Sequence, residues 1–572
     1  MSDVVTLLEA AFPRTLDELV ARFSGPDWLG CRVEAWVFED LAPRRAACAA
    51  LADVGVEAVF RSAYKPLLHA YLDDGLPAGP IALPTHPDAA PGRFALEAYP
   101  LLGLSPGTWI LQPGVSPLDY RLSDGTTVFA PNRVRHDSHG ATTLSCCGWL
   151  RVWRDGTLLI DEAVETEFEQ AFSAVITAVA AHRWPESMPF FDALHVEVQT
   201  GGISRKLDLG HECVDTQEAL HEDLYFSLIE WFQVIAGLPP GDRTLQPGQI
   251  VPEILHTTGA TRVRVRLISG LPEPVALGDE PVDTTARALD ADQIARSLLA
   301  LPGDRFVAQS VQGRSVDGLH RPGALPGLVV TAGQHANETS GVVGLLRAAP
   351  LLLAREDAEL ALVTTENPDG YALHRRLCAT HPRHMHHAAR YTALGDDLGA
   401  RLAPPYYEAD ARREAIARTR AVLHISLHGY PAQEWTRPLS GYVPGGFADW
   451  TLPCGFCLIM RHHPGRRADA VQFLDALTER LSANAELVAM NRAQLALRQA
   501  HLAVTDGLML HDIHCRVAQD TRSPVPFTLI TEYPDETIEG DAFRQAHLVQ
   551  RDTVLHAADL LWAGALSGLA GA

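Results

Sequence analysis

The sequence predicts an α/β chain in two parts, an α+β region over residues 1–285 followed by an α/β domain over 290–572. Three observations predict it. From about 124 to 270, strand-like alternation (TTVFA, LRVWRDGTLLI, LHVEVQ, TRVRVRLI) is interleaved with acidic amphipathic helices, EFEQAFSAVITAVAAH and HEDLYFSLIEWFQVIAG. The segment LGDEPVDTTARALDADQ, near 277–293, is acidic and turn-rich and reads as a linker. Beyond it, short apolar strands alternate with helices, the pattern of a sheet covered by helices.

Over the first 120 residues, helical patterns at 4–23 and 41–54 alternate with Pro/Gly-rich loops such as LPAGPIALPTHPDAAPG, so the N-terminal region is expected to divide near 120. It carries no chemical motif. Its HEC and HED tripeptides lack the second histidine of a His-Glu-x-x-His helix and read as surface pairs.

Composition excludes more than it assigns. The 572 residues carry a formal net charge of −23, a field that repels phosphate and argues against nucleic-acid or anionic-membrane partners. Lys65 and Lys206 are the only lysines among 47 basic residues, and neither lies in a motif for a Schiff base or a phosphate loop. The N-terminus has acids where a signal peptide needs basic residues and a long apolar core. No stretch of about 18 apolar residues suggests a membrane span. Nine cysteines without a secretion signal imply reduced thiols and a cytoplasmic location. Cys454 and Cys457 form a lone CxxC inside an apolar run and read as strand residues.

The chemistry is expected where the C-terminal strands end, because ligands bind beyond the carboxyl ends of strands in open α/β sheets. GLVVTAG (327–333) stops at Gln334-His335-Ala336-Asn337-Glu338, and ELALVTT (359–365) at Asn367-Pro368-Asp369-Gly370-Tyr371. AVLHISL (421–427) stops at His428-Gly429, and PFTLIT (526–531) at Glu532-Tyr533-Pro534-Asp535. A catalytic zinc takes about three N/O protein ligands and keeps one position open. His335 and Glu338 can aim at one ion from a turn, with His428 as the third ligand from a neighbouring strand. A carboxylate outside that set must move a proton from the attacking water to the leaving amine, and Glu532 suits the task.

Taken in order, these motifs resemble the zinc metallocarboxypeptidase family, the carboxypeptidase A-like peptidases with the related succinylglutamate desuccinylases and aspartoacylases. The resemblance covers about 295–565 and starts with Gly313-Arg314-Ser315-Val316-Asp317-Gly318, similar to the family's Gly-x-Ser-x-x-Gly stretch. It implies a mixed eight-stranded sheet with helices on both faces, one Zn²⁺ per chain, and hydrolysis of an amide bond. It also implies metal ligands His335, Glu338 and His428, the catalytic Glu532, and Arg390 as oxyanion donor.

One segment departs from the pattern. The family's Gly-Val-Asp-Leu-Asn-Arg-Asn, whose Asn-Arg pair holds a substrate carboxylate, is here Gly395-Asp396-Asp397-Leu398-Gly399-Ala400-Arg401. A bidentate arginine fork is the usual carboxylate receptor. Arg401, one position displaced, is the candidate replacement, with Asn367, His511 and His514 as further substrate-binding candidates; Arg375, Arg376 and Arg383 read as surface charges on a loop. The tract His381-Pro382-Arg383-His384-Met385-His386-His387 is read as a loop near the pocket, a second metal being the alternative, and His462 and His463 as structural.

Three functions fit: a zinc carboxypeptidase or peptide hydrolase, a deacylase of small N-acyl amino acids, and a binding scaffold with a relict metal site. The complete His335/Glu338/His428/Glu532 set argues against the third. The N-terminal region is left either to cover the crevice or to pair with a second copy.

Overall fold

A computed structural model describes residues 4–75, 80–85, 96–104, 109–113, 119–122, 124–136, 142–239, 241–441, 447–502 and 506–566. Part of the Pro/Gly-rich loop before residue 96 lies outside them.

Besides a four-stranded sheet of short strands between 81 and 129, the N-terminal half builds two larger four-stranded sheets. Strands β1 (Val5–Phe12), β2 (Arg32–Val37), β3 (Glu57–Ser62), β4 (Gly148–Arg154), β5 (Thr157–Val164), β6 (Ala193–Thr200), β7 (Gln249–His256) and β8 (Thr261–Ile268) form them in the orders β1-β8-β6-β7 and β5-β4-β2-β3. The expected helix at 4–23 is thus strand β1 followed by a helix, Thr15–Phe23. β1 alternates poorly by burial, and its seven ladder partners on β8 decide its state. Strands from either side of residue 120 share both sheets, so the sheets do not part there. Helix α1 (Glu167–Ala181) opens on a capping box, Thr166 with Glu169.

Helix α2 (Thr216–Ile235) overturns the reading of HED as surface. Asp215 caps it by accepting from Gln217 N and Glu218 N. His221, Glu222 and Asp223 are buried, as is Glu212 of the HEC tripeptide. A burial-polarity pattern cannot reveal this, because the face that meets the second half of the chain is itself charged.

The C-terminal half is a mixed sheet sandwiched by helices. Its strands are β9 (Asp304–Gln309), β10 (Ser315–Arg321), β11 (Leu328–Ala332), β12 (Leu360–Val363), β13 (Leu423–Tyr430), β14 (Cys457–His462), β15 (Leu508–Leu510), β16 (Ile513–Gln519) and β17 (Phe527–Pro534). They lie in the order β9-β10-β12-β11-β13-β17-β14-β16-β15, nine strands where eight were expected. The central β12, β11, β13 and β17 run parallel and the flanking pairs include antiparallel ones. Alternation buries both faces: Leu328 and Val330 enter one core, while Val329 joins Ala361, Val363 and Ala415 on the other. Helices α3 (Ser340–Leu353), α4 (Pro368–Cys378), α5 (Ala409–Thr419) and α6 (Asp541–Trp562) supply much of the cover. Arg375 and Arg376 lie on α4 rather than in a loop, and they pair with Asp290 and Glu253.

The two halves share a core. Leu373, Leu377, Met385, Trp435 and Phe447 pack in one cluster with Leu224, Phe226 and Phe232 of α2. Acids of α2 hold the C-terminal loops by their backbone: Glu218 accepts from Met385 N at 2.6 Å, and Asp223 from Leu439 N at 2.7 Å. Glu222 takes the ring of His387 at 2.6 Å. Lys65 reaches Glu434 across the same boundary, both side chains buried.

Candidate metal centre

Three strand ends meet. His335 and Glu338 sit in the turn between β11 and α3, and His428 lies near the end of β13, which pairs in parallel register with β11. The ligand-type atoms of these three residues lie within 4.8 Å of one another, and they are the only such group of three among the described residues. His335 Nδ1 is 2.7 Å from Glu338 Oε1, His428 Nδ1 is 2.8 Å from Glu338 Oε2, and the two Nδ1 atoms are 3.0 Å apart. All three residues are buried.

Each imidazole is held from behind. His428 Nε2 meets Ser426 Oγ at 3.0 Å, and His335 Nε2 lies 3.6 Å from Asp397 Oδ1. Gln334 Nε2 adds a contact 3.1 Å from His335 Nε2, and outer contacts of this kind orient the two rings with Nδ1 inward. Two inward nitrogens and a carboxylate crowd around one point, a donor set suited to a borderline divalent ion. The residues present therefore fit a metal. Burial pushes the Glu338 carboxyl up, but His335, His428 and Arg390 outweigh it and hold it well below the usual carboxylate range. Burial pushes His428 down, against the pull of Glu338.

The approach of α3 is set by two details. Asp535 Oδ2 accepts from Ser340 N at 2.8 Å, satisfying a backbone donor at the helix N-terminus directly after Glu338. A Cβ on Gly429 would sit 2.0 Å from Asp535 Oδ1, so only glycine lets that carboxylate approach beside His428.

Glu532 is in register with His428 across the parallel β13–β17 pair and with Cys457 on its other side. Desolvation, then the nearby Glu338 charge, push its carboxyl well above the ordinary range, with Arg390 opposing. Arg390 ends the short turn His387–Ala389 and donates from Nη1 to Glu338 Oε1 at 2.7 Å. Its guanidinium also lies over the Phe447 ring, at 5.7 Å.

The other candidates lie elsewhere or are engaged. Arg401 is corrected from substrate binding to a structural role: Nε and Nη2 donate to Asp396, Nη2 also to Thr392 Oγ1 and Nη1 to Tyr406 O, with Glu408 in ion-pair range of Nη1 at 3.0 Å. Its side chain is 2% exposed. Asn367 is the cap of α4, accepting from Gly370 N and donating to Tyr391 O, with no exposed surface. His511 sits in the β15–β16 turn at the sheet edge, facing Thr478 Oγ1. His514 is on β16, in register with Cys457 and two strands from Glu532. The histidine tract has partners already: His381 on Ile254 O, His384 on Asp215, His386 on His381 O, and His387 on Glu222.

Sequence reasoning assigned no role to Asp397, Ser426, Asp535 or Glu536. Glu536 accepts from Asn337 Nδ2 at 2.6 Å, between the two motif turns. The signal was present for three of them: Ser426 is two residues before a ligand, and Asp535 and Glu536 follow Glu532 within the same motif.

No family model matches the chain, and no curated protein matches it. Solved structures do. A metallo-carboxypeptidase from Pseudomonas aeruginosa, in complex with (2-guanidinoethylmercapto)succinic acid, is 18% identical, with 54% of this chain and 75% of that one covered at a TM-score of 0.29. A metallo-carboxypeptidase from Burkholderia cenocepacia is 14% identical, covering 53% and 76% at a TM-score of 0.29. Carboxypeptidase A from Helicoverpa armigera is 11% identical, covering 59% and 95% at a TM-score of 0.30. Likeness at this level decides nothing about chemistry, which the geometry of the site has to carry.

Proposed function

We propose that the chain is a zinc-dependent hydrolase of amide or peptide bonds. The observation that carries the reading is the convergence of His335, Glu338 and His428 on one point, with Glu532 on the adjacent strand and outside the ligand set. His335, Glu338 and His428 would hold the ion. When bound, zinc would supply Lewis-acid polarisation of the scissile carbonyl and of the attacking water.

The remaining work falls to the chain. Glu532 takes the proton from the attacking water and passes it to the leaving nitrogen. A carboxyl raised by desolvation is a stronger base than one in water, which favours the first transfer. Arg390, cationic and beside Glu338, places a fixed positive charge where negative charge develops on the carbonyl oxygen. Ser426 and Asp397 keep the two imidazoles turned inward.

A second reading, deacylation of a small N-acyl amino acid, is favoured by Gly399 and Ala400 in place of an Asn-Arg pair and by the engagement of Arg401 with Asp396 and Glu408. The test is metal content by elemental analysis together with turnover of a matched panel: peptides, N-acyl amino acids, and the same compounds with the carboxylate amidated. Protein purified and reconstituted without a stoichiometric metal would sink the proposal. Indifference to amidation would remove the exopeptidase form of it, and turnover confined to small acyl compounds would select the deacylase.

A further inference from the structure

The N-terminal half reaches the metal centre through one short segment. Residues 243–248 lie against 394–397, the loop that carries Asp397. Asp397 N donates to Arg243 O at 3.0 Å, and Gly248 N donates to Leu394 O at 2.9 Å. Between them, Gln246 Nε2 donates to Asp396 Oδ2 at 2.9 Å. The fit requires Gly395: its φ is +88°, and a Cβ there would lie 2.5 Å from Gly248 O and 2.8 Å from Pro247 Cδ.

At the end of this seam Arg243 grips Asp397 a second time, Nη1 to Oδ2 at 3.3 Å. The other carboxylate oxygen accepts from Gly399 N at 2.9 Å and from Gln334 Nε2 at 3.4 Å, and it lies 3.6 Å from His335 Nε2. Arg243, Asp397 and His335 thus form a line from the N-terminal half to a candidate ligand. Asp397 and Gln334 Nε2, the latter 3.1 Å from His335 Nε2, together back the outer side of the ring while Nδ1 faces Glu338 and His428.

We infer that the N-terminal half is a working part of the metal centre, with Arg243 as a positioning residue that sets the affinity for the ion by holding Asp397 against His335. This rests on the metal-dependent reading above and gives the N-terminal half a role in it. Arg243 is partly exposed, so its removal leaves no large cavity. Loss of an outer partner of a ligating histidine weakens metal binding by roughly 10–100-fold.

The experiment is a Zn²⁺ titration of the full-length apo-protein against a chromophoric chelator, across pH 6 to 8. Arg243→Ala is expected to weaken binding about tenfold and Asp397→Asn by more, with thermal unfolding of the apo-protein unchanged for Arg243→Ala. Arg243→Lys is expected to recover most of the loss, and Gln246→Ala to weaken binding by less than Arg243→Ala. Binding by Arg243→Ala within twofold of the wild type at every pH, with the wild type holding one ion, overturns the inference alone. A wild type that binds no ion overturns the functional reading instead.

Discussion

Replacing Glu532 by glutamine separates proton transfer from metal binding. Paired positions on neighbouring strands lie about 4.8 Å apart and project to the same face. The carboxylate of Glu532 therefore stands beside His428 without belonging to the converging group. Glutamine keeps the volume and a carbonyl acceptor but cannot take a proton. A positioned general base contributes roughly 10²–10⁴ in rate, and at about 1.4 kcal/mol per decade that is about 3–5 kcal/mol of the barrier. Because desolvation and Glu338 oppose the ionised form, the neutral amide removes a cost to folding, so the melting temperature should hold or rise. The assay is kcat on the best substrate of the panel, with zinc stoichiometry and thermal unfolding on the same preparations. Turnover within tenfold of the wild type, with metal retained, would refute the assignment of the base. Loss of metal would place Glu532 among the ligands and refute it differently.

Three further perturbations probe the structure around the site. Arg437→Ala removes a fork to Glu230 at 2.6 and 2.9 Å and leaves the fully buried Asp223 without its cation, so urea denaturation should report a loss of about 3 kcal/mol; a loss below about 1 kcal/mol would mean the pair does not join the halves. Arg401→Ala should destabilise by a similar amount, through Asp396 and Glu408, while leaving KM for carboxylate-bearing substrates unchanged; a tenfold rise in KM would return Arg401 to the substrate. Burial raises the Glu218 carboxyl to about 7, against His384 and its hydrogen-bond donors, so the folded chain keeps a proton the unfolded one releases above about 4.5. That contribution is full below 4.5 and is lost as pH rises through 7. Burial pushes His221 and His374 down to about 3, and their contribution is full above 6.5 and lost as pH falls towards 3. Above 6.5 the raised carboxyls act, Glu218 together with Glu97, Glu212, Glu408, Glu434 and Asp535: the melting temperature should fall from pH 6.5 to 8, and Glu218→Gln should remove one share of that fall. An unchanged slope in the variant would place the titration elsewhere.

The convergence of His335, Glu338 and His428 is legible in the sequence because the strands end where those residue types begin. Buried parallel strands read as apolar runs, and the residue after such a run is fixed in space by the sheet; His335, His428 and Glu532 are all of this kind. Arg401 was illegible for the opposite reason. It lies in a loop, and whether a loop arginine meets substrate or the neighbouring Asp396 depends on backbone geometry that spacing does not encode. His511 and His514 lie in a turn and on the strand next to the sheet edge, a course that spacing along the chain does not encode. In the N-terminal half, α2 reads as a solvent-facing amphipathic helix because Glu218, Glu222 and Asp223 are charged. Their partners are backbone N–H groups and side chains some 165 to 217 residues later, and local patterns carry no trace of them. For β1, ladder partners about 250 to 260 residues away outweigh the local pattern.

The order of the chain gives the shared core a consequence during synthesis. β1 finds its ladder partner only when β8 has been made, so the N-terminal sheet closes just before the linker emerges. The C-terminal half is then built against a finished surface, and the acids of α2 wait as acceptors for N–H groups of loops still to come. Produced alone, residues 290–572 would expose Leu373, Met385, Trp435 and Phe447 to water and leave those loop donors unmatched. The N-terminal half is therefore the template on which the loops around the candidate metal centre are moulded, and truncation at the linker should yield aggregate rather than a smaller folded protein.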